Sequence, residues 1–235
     1  MHHLDKTYIT FVDSYKHISF KNFFTVFSKS KYLSAISNSL IVTVVSSIIA
    51  SVFAIPLAWL IARYNFKFRN GIIILVTMAS VSPPFLGAYA WRLMLGSSGL
   101  ITNFFGLDFS IMGMHGVIWV IIWLIYPLIF LTSLDSFMGM DPTLTESAHS
   151  LGASRFRAFM NIEVPLAMPG IITGLYLAGI TAFSDFGTPM IITLNLEMLP
   201  KLIYQEFMSE IGGETHIASA GSMVMIFISG IFLAG

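Results

Sequence analysis

Residues 38–62 run for 25 positions without a charge. Coiled at 1.5 Å per residue, such a stretch is about 37 Å long, enough to cross the ~30 Å hydrocarbon core of a bilayer. Four more apolar stretches follow at 71–95, 116–134, 165–184 and 216–235, and the second of them meets Arg92 only near its far end. Backbone groups in lipid must bond within their own segment or close a barrel. A barrel needs short alternating segments, and these runs do not alternate. The expected fold class is therefore all-α, a polytopic membrane helical bundle with five spans. Composition agrees: 56% of the residues are hydrophobic and 10% charged, against about 25% charged in a soluble domain. A net charge of zero argues against nucleic acid as a partner, and the absence of cysteine removes disulfides and thiolate chemistry.

Basic residues orient such helices. Arg63, Lys67 and Arg69 lie between the first two runs, and Arg155 and Arg157 between the third and fourth. Only Asp108 is charged between the second and third. Lys201 faces Asp185, Glu197, Glu206, Glu210 and Glu214 between the fourth and fifth. The two basic linkers are expected on the cytoplasmic side and the two acidic ones outside. Residues 1–37 then form an external amino-terminal segment ahead of a transmembrane domain at 38–235. That segment carries Lys6, Lys16, Lys21, Lys29 and Lys31, against the positive-inside tendency, and the chain stops within an apolar run. Both features suggest a fragment lacking a preceding helix and a following tail.

The cytoplasmic linker at 135–164 is the most informative stretch. Asp141 followed by Pro142 reads as a helix N-cap with a first-turn proline. Leu144, Ala148 and Leu151 then share a face, and Gly152 is placed to end the helix in a left-handed turn. Ser154 caps a second short helix in which Phe156, Phe159 and Met160 share a face, and Pro165 opens the fourth span, with Pro169 one turn later. Short helices with apolar stripes but no membrane length call for a groove on another protein.

Within this linker Glu146-Ser147-Ala148 is followed by three residues, Gly152, nine residues and Ile162-Glu163-Val164-Pro165. The pattern resembles the EAA loop of binding-protein-dependent ABC importer permeases of the type I (MetI-like) fold: Glu-Ala-Ala, three residues, Gly, nine residues, Ile, any residue, Leu, Pro. Ser147 and Val164 depart from it by small or apolar replacements. The resemblance implies a multi-pass protein of the bacterial cytoplasmic (inner) membrane with a cytoplasmic coupling helix. It implies as partners an ABC ATPase, a periplasmic or lipoprotein solute-binding protein, a second permease half in the same or another chain, and membrane lipid. The ATPase-coupling residues it points to are Glu146, Ser147, Ala148, Gly152, Ala153, Phe156, Phe159, Ile162 and Pro165. Glu146 would anchor the loop by charge or by completing its cap. No Gly-x-x-x-x-Gly-Lys-Ser/Thr motif occurs in the chain, so ATP hydrolysis is expected on a separate chain and this one is not an enzyme.

Ser184-Asp185-Phe186-Gly187-Thr188-Pro189 ends the fourth run. An acid there reads either as lining a solute path or as a solvated loop residue. The stretch resembles ferric-iron permeases, and less closely those for polyamine or aminoethylphosphonate, whereas thiosulfate, sulfate and molybdate permeases tend to carry Gly-Glu-Phe-Gly. Ferric iron is the solute implied, with Ser184, Asp185, Gly187 and Thr188 as pathway candidates. Gly170 and Gly174 form a Gly-x-x-x-Gly pair suited to close helix packing. Pro56, Pro83-Pro84 and Pro127 read as gating kinks or as tolerated membrane prolines, and Trp59, Trp91, Trp119 and Trp123 as interfacial belts or packing. The histidines show no His-Glu-x-x-His spacing and no serine lies in a Gly-x-Ser-x-Gly elbow, so no metal, cofactor or catalytic residue is expected. A gradient-driven secondary transporter, a membrane-embedded enzyme and a channel or scaffold subunit are the competing classes. The first calls for midspan ionisable residues, which are almost absent here.

Overall fold

The computed structural model describes residues 24, 26–81, 83–106, 108–193, 195–208 and 215–234. Most of the external segment expected at 1–37, including Lys6, Lys16 and Lys21, lies outside them, as does Gly235. The described elements are helices: α1 (Ser30–Arg63), α2 (Arg69–Val81), α3 (Pro84–Leu95), α4 (Leu100–Phe105), α5 (Met114–Met138), α6 (Pro142–Ser150), α7 (Arg155–Ala158), a π-helical turn (Phe159–Glu163), α8 (Val164–Ser184), α9 (Gly187–Ile192), α10 (Leu199–Met208) and α11 (Thr215–Ala234). Three helical stretches among the described residues, Ser30–Arg63, Met114–Met138 and Arg155–Ser184, are unbroken, long and apolar enough to cross a membrane. The run expected at 71–95 is two helices, because Pro83 and Pro84 remove two backbone donors in succession and Pro84 restarts the chain at a first-turn position. By contrast Pro56 and Pro127 sit inside continuous helices.

By compactness the chain divides into two units, residues 41–194 and residues 1–40 with 195–235. In the larger unit α8 presents Ala167, Ile171, Gly174, Ala178 and Ala182 as a buried stripe. Its glycines let α5 approach closely. A Cβ on Gly170 would meet Ser136 and lie 2.9 Å from the Thr132 carbonyl oxygen, and one on Gly174 would fall 3.1 Å from Ile129 Cα. Between apolar helices in lipid there is little hydrophobic drive, so tight packing of small residues supplies the association. Trp91 of α3 meets Trp119 and Trp123 of α5 edge-on, with ring centroids 5.5 and 5.8 Å apart. The opposite faces are apolar and uncovered: Phe53, Leu75, Met78 and Val81 are all exposed. Side chains of this kind belong against lipid rather than water.

The smaller unit packs α10 and α11 around Val26, Tyr32, Ala35, Leu202, Ile217, Ala220 and Val224. Long-range bonds help to fix it. Asn38 donates to the Glu197 carbonyl at 2.9 Å, and the Leu199 amide donates to Ser39 Oγ at 2.9 Å. Lys201 is buried here and gives a hydrogen bond to the Leu196 carbonyl at 3.1 Å. Burial lowers the pKa of its ammonium.

Candidate functional site

α6 begins as its sequence dictates. Asp141 accepts a hydrogen bond from the Thr143 amide at 2.9 Å, and Pro142 fills the first turn. That bond favours the carboxylate and lowers the pKa of Asp141. The helix closes with paired reverse bonds: the Ala153 amide reaches the Ala148 carbonyl at 3.0 Å, and the Gly152 amide reaches that of His149 at 2.9 Å. This geometry requires a left-handed residue at position 152, where Gly152 has φ +86°. The cap is completed by Asp141, not by Glu146. Glu146 is exposed and, with Arg63, Arg69, Met138 and Thr145, lines a cavity of about 420 Å³.

Ser154 accepts from the Arg157 amide at 3.3 Å and starts α7. The second short helix expected here does not stop before Pro165. The chain stays helical from residue 155 to residue 184, widening into the π turn just ahead of the proline. Pro165 cannot donate to the carbonyl one turn back, and its ring crowds that carbonyl. In the widened turn the Val164 amide bonds instead to the Phe159 carbonyl five residues back.

The coupling candidates divide into two sets. Ala148 is buried, whereas Ile162, Ala153 and Phe159 are half-buried. Glu146, Ser147, Gly152, Phe156 and Pro165 are exposed. The predicted apolar faces split in the same way: Leu144, Leu151, Phe156 and Met160 face outward, with Leu151 90% exposed at the turn. Phe159 turns inward, 4.7 Å from the Trp59 ring and 6.4 Å from Phe137 between centroids.

Beneath this surface lies an arrangement that the sequence reading missed. Glu163, the last residue of the π turn, has a side chain only 3% exposed. Its Oε1 accepts from Thr145 Oγ1 of α6 at 2.9 Å and lies 3.1 Å from Arg63 Nε, an ion pair rather than an aligned hydrogen bond. Its Oε2 accepts from Trp59 Nε1. A buried carboxylate needs this set of partners, because one left without them carries its full desolvation penalty. The legible signal was an acid two residues ahead of Pro165, on the same side of the membrane as Arg63.

Among the pathway candidates, Asp185 makes a local structural contact. Asp185 Oδ1 accepts from the amides of Gly187 at 3.1 Å and Thr188 at 3.4 Å, capping α9. Thr188 is fully buried, Ser184 and Gly187 are half-buried, and a Cβ on Gly187 would fall 3.4 Å from Phe85 Cβ. Asp185 is not a solvated loop residue: the residue is 9% exposed, Oδ1 is committed to the cap, and Oδ2 is buried without a hydrogen-bond partner among the described residues.

Residues 54–234 match the sequence profile of the binding-protein-dependent transport system inner membrane component family. A molybdenum transport system permease protein of Haemophilus influenzae is 30% identical over 194 residues, 79% of this chain and 84% of that protein. A probable molybdenum ABC transporter permease of Haloferax volcanii is 28% identical over 75% of this chain, which spans 65% of that relative's length. A ferric transport system permease protein of Actinobacillus pleuropneumoniae is 28% identical over 84% of this chain but only 30% of its own length. Among solved structures, a bacterial alginate ABC transporter in complex with a pentasaccharide-bound periplasmic protein superposes with a TM-score of 0.76 at 21% identity, covering 93% of this chain and 81% of that one. An inward-facing MetNI methionine ABC transporter gives 0.69 at 15% identity, covering 86% and 90%. The fold is that of the type I ABC importer permeases, and the chain belongs to the family of binding-protein-dependent transport system inner membrane components.

Proposed function

We propose that this chain is a membrane-spanning permease subunit of an ATP-driven importer, forming part of the solute pathway and docking onto a separate ATPase through α6 and the turn that follows it. The observation that carries the reading is the outward apolar set Leu144, Leu151, Phe156 and Met160, of which the capped nine-residue helix α6, too short to cross a membrane, presents Leu144, while the turn and the helical start that follow it present the rest. Its spacing matches the EAA pattern of such permeases. A solute-binding protein on the external side and a second permease half complete the assembly, and the coupling helix moves with the ATPase as ATP closes it. The chain contains no cysteine, so Leu151→Cys places one thiol at the turn. A bifunctional thiol-to-amine reagent is expected to join it to the ATPase in membranes expressing both. Absence of the adduct, with both proteins present, would count against docking at this turn.

Ferric iron is the solute proposed first, on the likeness of residues 184–189 to ferric permeases and on the ferric relatives that align with most of this chain. The relatives named for molybdenum, molybdate/tungstate and sulfate support a second reading, an oxyanion. Uptake of radiolabelled ferric iron and of molybdate, compared in a strain deleted for this permease, separates the two.

A further inference from the structure

We propose that Glu163 is a positioning residue that fastens the coupling helix α6 to the end of α1, so that a displacement of α6 is passed to the first membrane helix. The inference rests on the reading of α6 as the ATPase-docking helix and adds to it the route by which force leaves that helix. Thr145 is the point of attachment. Its hydroxyl reaches Glu163, 18 residues away, whereas the side-chain hydrogen bonds of Ser147, Ser150 and His149 stay within residues 143–153. On the far side, Trp59 and Arg63 stand one helical turn apart on α1 and hold the same carboxylate. Two helices thus grip one charged group that is almost wholly buried. If α6 moved without α1, Oε1 would lose the Thr145 donor at a place with little access for water to replace it. Such a loss is far costlier for a charged acceptor than for an exposed one. Moving α6 and α1 together avoids it. Phe159, packed on Trp59 one turn before Glu163, fills the space beside the carboxylate and limits independent rotation.

The test uses the complete importer in proteoliposomes, with its ATPase and binding protein, and reads solute moved per ATP hydrolysed alongside retention of the ATPase. Thr145→Val removes the hydroxyl and keeps the shape. It is expected to retain the ATPase and hydrolyse ATP, but to move about fivefold less solute per ATP, the lower end of ordinary coupling between sites. Thr145→Ser, which restores the donor, is expected to return the ratio to that of the unsubstituted protein. Glu163→Gln is expected to lower the ratio too. If that variant fails to assemble, Thr145→Val alone decides. A purely structural role would reduce assembly, uptake and hydrolysis together and leave the ratio unchanged, and an unchanged ratio in Thr145→Val overturns the proposal. Failure of the docking reading looks different: the unsubstituted permease itself would not retain the ATPase, and the proposal would fall with it.

Discussion

Ser136 of α5 occupies the space that a Cβ on Gly170 of α8 would need. The two helices can approach as they do only because position 170 has no side chain. Gly170→Val is expected to destabilise the protein by roughly 1–3 kcal/mol through overpacking, read as a lower unfolding midpoint in detergent. Gly230 is the control. A Cβ there meets nothing within 4 Å, so Gly230→Ala is expected to be neutral or to stabilise α11 by up to about 1 kcal/mol. Equal effects at the two positions would contradict the packing argument.

Gly152 is constrained by conformation rather than by space. With φ at +86° and no atom within 4 Å of a Cβ, Gly152→Ala is expected to cost about 1–2 kcal/mol, the strain of a left-handed residue. Gly152→Asn is expected to cost less, because asparagine tolerates that region. Thermal unfolding of the two variants supplies the comparison, and the reverse order would contradict the turn geometry.

Much of this site is legible in the sequence because its determinants are local. Asp141-Pro142, Gly152 and Ser154 specify caps by residue type and position, and three of the five apolar runs fall in unbroken helices long enough to span. The remainder depends on partners distant in the chain. Nothing near Glu163 announces Trp59, which is 104 residues away. The π turn answers a conflict between Pro165 and a helix that packing keeps continuous, and periodicity does not register such a conflict. Asp185 was ambiguous for a related reason: a carboxylate at a span end looks the same whether it caps the next helix or faces a path, until that next helix is seen to begin at Gly187.

The cap at Asp185 separates those two roles. Asparagine can accept the same amide bonds, so Asp185→Asn is expected to retain stability and uptake, whereas Asp185→Ala is expected to lose about 0.5–2 kcal/mol through the missing cap. Abolished uptake in a stable, membrane-inserted Asp185→Asn protein would show that the charge itself is needed.

Asp141 lends α6 a pH dependence of definite sign. Its folded pKa lies below the ordinary carboxylate value because the Thr143 amide favours the charged form. The stabilisation is therefore present above the unfolded carboxylate range and is lost as pH falls through the folded pKa. Hydrogen-exchange protection across α6, corrected for the intrinsic rate, is expected to fall on acidification, and Asp141→Asn is expected to flatten that component. An unchanged profile in Asp141→Asn would show that another group controls the helix.

The orientation of the chain gives the last prediction. Ser97 and Ser154 are both exposed, and among the described residues between them α5 is the one helix long and apolar enough to span. At 25 residues it is about 37 Å long, so it is expected to cross the bilayer once and to put the two serines on opposite sides. Arg155 and Arg157 follow Ser154, and by the positive-inside tendency that end is expected in the cytoplasm, whereas Asp108 is the only charge between Arg92 and Asp135. Because the chain has no cysteine of its own, Ser97→Cys and Ser154→Cys each provide a unique thiol. A membrane-impermeant maleimide added to intact cells is expected to label the first and spare the second until the cells are opened. Labelling of both from outside, or protection of both, would overturn the single crossing by α5 and with it the cytoplasmic placement of α6.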